Sequence, residues 1–232
     1  MALTNKHNLP APYVEAVASN GLTLGDNEIR VTELIAPPQI VWLRRLNKDK
    51  IEEDVADLFY RALGKAWHLM LEKAEKRWSV IGEERLSIER NGWTISGQPD
   101  NFEVLTKEDN ILRDYKLTTV YAIIMLHSHQ EEWTHQLNLY KYLLMKNGIA
   151  DITDLRILAG LRDWHLLDTL RDENYPKSQI VEIPIESWPL EKIESYIDSR
   201  LSLHAQAREG IYPPCSVEDR WLKKGHWALM KE

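Results

Sequence analysis

The stretch GQPDNFEVLTKEDNILRDYKLTT, residues 97–119, decides how the chain is read. Asn101–Leu105 and Ile111–Lys116 are rich in strand-favouring residues and are separated by the polar turn TKEDN, so they predict a strand pair whose second member is buried. Side chains alternate along a strand, so Asp114 and Lys116, two residues apart, leave the same face. Asp100 lies 14 residues before Asp114, at the bend that follows Gly97-Gln98-Pro99. The hairpin return then brings the two aspartates together. Two converging carboxylates suit a hard cation such as magnesium, which takes oxygen ligands and keeps several waters. An acid-x-lysine strand taken alone is more often an ordinary salt bridge, so other elements must agree with it.

Working upstream, Leu86, Ile88, Trp93 and Ile95 flank Asn91-Gly92, a two-residue hairpin signal because both residues tolerate positive φ. Before it, apolar residues from Ile51 to Leu71 recur at helical spacing and predict a helix from about Asp49 to Arg77. Residues 1–28 are polar and carry Pro10, Pro12, Gly21 and Gly25, which predicts an irregular N-terminal arm. Residues 29–232 are then expected to form one domain. Working downstream, Glu131–Asn147 is helical through Trp133, Leu137, Tyr140 and Leu144, with Gly148 as terminator. Leu155–Leu161 and Ile180–Ile185 predict strands, and a last helix is expected to be capped by Ser187 and closed by Gly210. Helices alternating with strands in this order predict an α/β sandwich with a mixed sheet flanked by helices.

Composition narrows the chemistry. No run approaches the ~20 apolar residues of a membrane span, and the N-terminus lacks a signal-peptide pattern, so a soluble, intracellular, cytoplasmic protein with no membrane partner is expected. One cysteine, Cys215, cannot assemble a four-thiolate iron–sulfur cluster, and any metal must take oxygen or nitrogen ligands. The net charge of −7 speaks against a strongly basic nucleic-acid wrapper. It is compatible with a carboxylate-rich pocket inside a local basic rim. Nine tryptophans against two phenylalanines serve either as core or as base-stacking surfaces.

Two helices add to the aspartates and the lysine. Gly64, His68 and Glu72 are four apart on the first long helix and share a face, with the glycine expected to permit close approach of a strand, another backbone or a ligand. His129, Trp133, Gln136 and Tyr140 follow one another at four, three and four on the second. A glutamine and a tyrosine facing the core need polar partners.

These features together resemble the RecB-like branch of the PD-(D/E)XK nucleases, including phage-type and CRISPR-associated exonucleases. The resemblance covers residues of about 30–145 and the PPC tail, and rests on ordered motifs. GKAWHLMLE at 64–72 looks like the family's metal-binding histidine helix, which implies His68 as a ligand and Glu72 as its companion. GQPD at 97–100 is similar to the motif that supplies the first metal-binding aspartate, Asp100. RDYK at 113–116 is similar to the strand supplying Asp114, the backbone carbonyl of Tyr115 and catalytic Lys116. QLNLY at 136–140 resembles the QxxxY helix, which puts Gln136 and Tyr140 on the active-site face. VTELIAPPQIVWLRRL resembles the family's opening segment, with Arg44 and Arg45 placed to meet a phosphate backbone. PPCSVEDRW at 213–221 is a cluster-free version of the tail.

The resemblance implies a restriction-endonuclease-like α/β sandwich and a DNA exonuclease that uses Mg2+ or Mn2+, with no iron–sulfur cluster. Its expected partner is DNA, single-stranded or with a free end, and a recombinase or single-strand-binding protein is a further expected partner class. Lys116 is expected to orient or deprotonate the attacking water. Two rival readings are a catalytically silent DNA-binding or recombination-partner module and a structure-specific endonuclease. The entry for DNA is expected between the two long helices.

Overall fold

The computed structural model describes residues 2–18, 24–25, 27–75, 85–104, 110–124 and 126–215, with the side chains of 75 and 126–130 outside the description. In chain order it begins with β1 (Ala2–Thr4), α1 (Ala11–Val17), β2 (Glu28–Arg30), α2 (Val31–Ile35), α3 (Pro38–Leu46), β3 (Glu52–Asp54) and α4 (Phe59–Glu75). There follow β4 (Leu86–Arg90), β5 (Trp93–Gly97), β6 (Asn101–Val104), β7 (Asn110–Thr118), α5 (Val120–Ile124), α6 (Leu126–Lys146), β8 (Asp154–Leu161), β9 (Ile180–Ile185) and α7 (Leu190–Arg208).

The centre is a four-stranded mixed sheet of order β6-β7-β8-β9, in which β7 and β8 run parallel and the outer pairs antiparallel. Alternation along β7 divides its side chains between two helices. Tyr115 faces α4, whose His68 ring meets it edge-on, and on the same face Trp67 packs on Gly160 of β8. Asp114 and Lys116 face α6. That is the expected sandwich of helices around a mixed sheet. Its core is built from fully buried Leu137, Leu139 and Leu143 of α6 against Leu155, Ile157 and Leu161 of β8. A second sheet of order β2-β5-β4 carries the hairpin, with Asn91 and Gly92 at φ 51° and 75° as the tight turn requires.

Several local expectations are corrected. Residues 2–17 are not an irregular arm: β1 pairs in parallel with β3, and α1 buries Val17 against Val55 and Leu58. The first long helix starts at Phe59 rather than near Asp49, because Asp54 accepts hydrogen bonds from the Lys6 and Ala56 amides and the Thr4 hydroxyl. Those bonds hold its carboxyl down at about 2 and stop the strand against a short 3₁₀ turn. Ser187 does not cap α7; Pro189 occupies that position, and the Ser187 hydroxyl accepts from Lys141 at 2.8 Å. Gly148 and Gly210 do end their helices at positive φ.

The end of α2 is satisfied from a distance. Pro37 and Pro38 prevent α2 from running into α3, leaving the carbonyls of Leu34, Ile35 and Ala36 without helical donors. Arg200 of α7 donates to all three, and fully buried His204 lies 3.2 Å from the Leu34 carbonyl while its Nδ1 accepts from Trp42 Nε1. Burial pushes His204 down to about 4, so it is neutral, with Nε2–H as the donor. Near the end of the described chain, the Cys215 thiol reaches Gln39 of α3 at 3.5 Å. The rest of the PPC tail lies outside the described residues.

Candidate active site

The site forms where the second sheet hands the chain to the central one. Asn101 pairs with Arg113, so Asp100, one step before β6, stands level with Asp114. Asp100 Oδ2 accepts from the Tyr115 amide at 2.8 Å, and Oδ1 lies 3.1 Å from His68 Nδ1. This carboxylate therefore joins α4 to β7. Its hydrogen bond is the main reason the His68 imidazole is held above its ordinary value, burial acting against it.

Asp114, 2% exposed, sits deeper. Burial, aided by Asp100, raises its carboxyl to about 6 even though Lys116 pulls the other way. Lys116 Nζ forms an ion pair at 2.7 Å with Asp114 Oδ2 and donates to Gln136 Oε1 at 2.9 Å. Gln136 Nε2 donates to Asp114 Oδ1 at 2.9 Å and to the Tyr140 hydroxyl at 3.3 Å. Every polar atom of the Gln136 amide is thus used, and turning the amide over would set a donor against the Lys116 ammonium. Burial would push Lys116 down, but Asp114, with Asp100 and Glu132, more than offsets it and holds the group above its ordinary value. Lys116 is therefore held as an ammonium by the carboxylates around it. Burial, reinforced by Asp114, also raises the Tyr140 hydroxyl well above its usual range, so it is un-ionised.

The donors suit a hard cation held by few protein ligands. Buried Asp114 Oδ2 receives no well-directed hydrogen bond, since the Lys116 contact is an ion pair off that direction. Asp100, Asp114 and the Tyr115 carbonyl are the oxygen groups that could hold magnesium, with water and a substrate oxygen completing its shell. His68 directs Nδ1 at Asp100, which leaves Nε2 for a cation or water. Among the described residues, no three His, Cys, Asp or Glu side chains surround a single point. A closed protein cage is therefore absent from that set, and magnesium does not require one.

A cleft of about 710 Å³ opens above this floor. It does not run between the two long helices as expected. One wall is α4, with Arg61, Gly64, Lys65, His68 and Glu72; the other is Arg30, Thr32, Arg85 and Ser96 from the second sheet and α2; Asp100 and Tyr140 lie at the bottom. Glu72 shares the cleft, and no described hydrogen bond or ion pair ties it to Asp100, Asp114 or Lys116. No strand or other backbone packs on Gly64, since a Cβ there would meet nothing within 4 Å, and the glycine leaves that part of the wall open to a ligand. Of the remaining expected residues, Trp133 is buried, and the side chain of His129 lies outside the described residues.

Arg44 and Arg45 do not line the cleft, and Arg45 is spent on Glu33 at 2.9 Å and on the Trp42 ring. The cationic rim of Arg30, Arg61, Lys65 and Arg85 was missed from sequence. Its members are scattered over 56 positions and share no motif; only the four-residue step from Arg61 to Lys65 on one helix carried a signal.

Gly97 sets how closely α6 approaches. A Cβ on it would stand 2.7 Å from Tyr140 Cε1 and 2.9 Å from Leu143 Cδ1, nearer than real side chains come, and a tight 3.0 Å from Val31 Cγ2. Gly97→Ala is expected to cost about 2 kcal/mol of stability by overpacking. It should also shift the Tyr140 ring and loosen Gln136. Chemical denaturation checks the first effect, and a cleavage assay on the folded variant checks the second.

No protein-family model matches the sequence, and no curated protein matches it. Solved structures do. One, described as SSO0001, aligns with a TM-score of 0.55 at 19% identity, covering 78% of this chain and 79% of that one. Another, a Eubacterium rectale protein provisionally described as an exonuclease, aligns with a TM-score of 0.39 at 12% identity over 81% of this chain and 70% of that one. No described helix is long and apolar enough to cross a membrane. At these identities the likeness speaks to architecture alone, and the chain shares with SSO0001 an α/β fold of mixed sheet flanked by helices.

Proposed function

We propose that this protein is a metal-dependent DNA exonuclease of the RecB-like PD-(D/E)XK type, using Mg2+ or Mn2+ to hydrolyse phosphodiester bonds in DNA recombination, repair or phage replication. The observation that carries this reading is the floor of the cleft. Two aspartates on adjacent backbone segments, an ammonium and a fully engaged glutamine meet beneath a rim of four cations, in a chain whose net charge is −7. Such a rim draws in a polyanion that the rest of the surface repels.

Each residue has a distinct task. Asp100 and Asp114, with the Tyr115 carbonyl, would hold the cation, which when bound polarises the phosphate and makes water a nucleophile at neutral pH. The Tyr115 amide and His68 keep Asp100 in place. Gln136, braced by Tyr140, orients Asp114 and Lys116 together. The Lys116 ammonium is preorganised to orient water and to stabilise negative charge as it develops on phosphate. No residue need act as a covalent nucleophile.

The test is a digestion series on end-labelled linear and covalently closed circular DNA with magnesium, manganese or chelator. Loss of label from linear DNA alone, abolished by chelator, is the expected result. Cleavage of circles would replace the exonuclease with an endonuclease. Intact DNA that still shifts on a gel would make the chain a silent binding module.

A further inference from the structure

The cations of the cleft are not equally committed. Arg61 is held by Glu53 through two contacts, at 3.1 Å and 3.2 Å. Lys65, exposed on α4 one turn further on, has no carboxylate partner among the described residues. From another element of the lining, exposed Arg85 reaches only the Ser96 hydroxyl, at 3.5 Å, and has no carboxylate partner among the described residues. Uncommitted cations that line one cleft repel one another and gain from an anion bound among them. In the same cleft, next to Lys65 in the chain, Gly64 leaves open space where any other residue would project a side chain. The volume, about 710 Å³, is that of a site for a drug-sized ligand, room for about two nucleotides of one strand.

We infer that Lys65 and Arg85 form a two-sided clamp on successive phosphates of one DNA strand, and that the space over Gly64 takes the sugar and base between them. The clamp rests on the reading of the floor as a nuclease site and deepens it. It sets which phosphodiester lies above Asp100, so Lys65 and Arg85 are positioning residues. Both act through charge on the phosphates and leave base identity unread. Strand position is therefore set without sequence preference.

The experiment is fluorescence anisotropy of a labelled single-stranded oligonucleotide in chelator, over a salt series, with wild type, Lys65→Ala, Arg85→Ala, Gly64→Leu and the control Arg44→Ala. Each alanine variant of the clamp should bind about tenfold more weakly, as expected for one charged contact. Each should also lose roughly 0.7 from the slope of log affinity against log salt, the share of one phosphate on a single strand. Gly64→Leu should weaken binding while leaving that slope unchanged, because it fills space and removes no charge. Arg44→Ala should match wild type. Wild-type affinity and slope in both clamp variants would overturn the inference, as would an equal loss in Arg44→Ala. Circular dichroism confirms that each variant is folded. Binding in chelator is independent of cleavage, so the two readings fail separately. A clamp without cleavage removes the nuclease, and cleavage with unaffected clamp variants removes the clamp.

Discussion

Replacing Lys116 with alanine is expected to lower the rate of metal-dependent cleavage roughly 10³-fold while leaving a folded protein that still binds DNA. Three features give the residue this weight. Its ammonium is preorganised by Gln136 and by Asp114, it is partly buried, and it stands beside the carboxylates that would carry the cation. Lys116→Arg should not restore activity, because the guanidinium fork cannot occupy the compact position that one ammonium shares between the two partners. The variant also has a signature in stability. With Lys116 gone, the Asp114 carboxyl rises further above the unfolded value of 3.8. The folded state then holds its proton over a wider window, so the variant loses more stability than wild type as pH rises from about 4 through neutrality. Paired unfolding curves at acid and neutral pH read that difference, and single-turnover digestion reads the rate. Full cleavage by Lys116→Ala would remove the residue from the mechanism.

The second large effect lies far from the chemistry. Arg200→Ala strips the donors from three carbonyls at the end of α2 and should lower stability by about 3 kcal/mol. For a chain of 232 residues this corresponds to a melting temperature roughly 6–12 °C lower, measurable by calorimetry. Neighbouring His204 is neutral and already committed to Leu34 and Trp42, so it cannot take over. Cleavage per folded molecule should be nearly unchanged at low temperature, which separates this variant from Lys116→Ala.

The parts of the fold that are legible in the sequence are those whose signal is periodic. β7 and α6 carry long apolar patterns, and the Asn91-Gly92 turn carries its own backbone requirement, so each was placed within a few residues. β1 and β3 have three residues each, too short for alternation to register, and their pairing joins positions 50 apart. α4 was drawn too long because Ile51 and Val55 continue the apolar rhythm, while the hydrogen bonds to Asp54 that end the preceding strand are tertiary. The site divides in the same way. Asp100, Asp114, Lys116, Gln136 and Tyr140 meet because strand register and helix spacing are local rules. The cleft runs elsewhere than expected, because its second wall is assembled from Arg30, Arg85 and Ser96, which only the packing of the second sheet brings together.

One hydrogen bond at the floor has an evolutionary consequence. The Tyr115 amide is completed by a side chain, Asp100, where the neighbouring strand has not yet begun. The residue proposed to hold the cation therefore also finishes the sheet. That second duty holds whether or not the proposed catalysis is kept: Asn at position 100 keeps an acceptor for the amide, whereas Ala removes it. Related chains that lack the proposed activity should accordingly keep a carbonyl oxygen at 100.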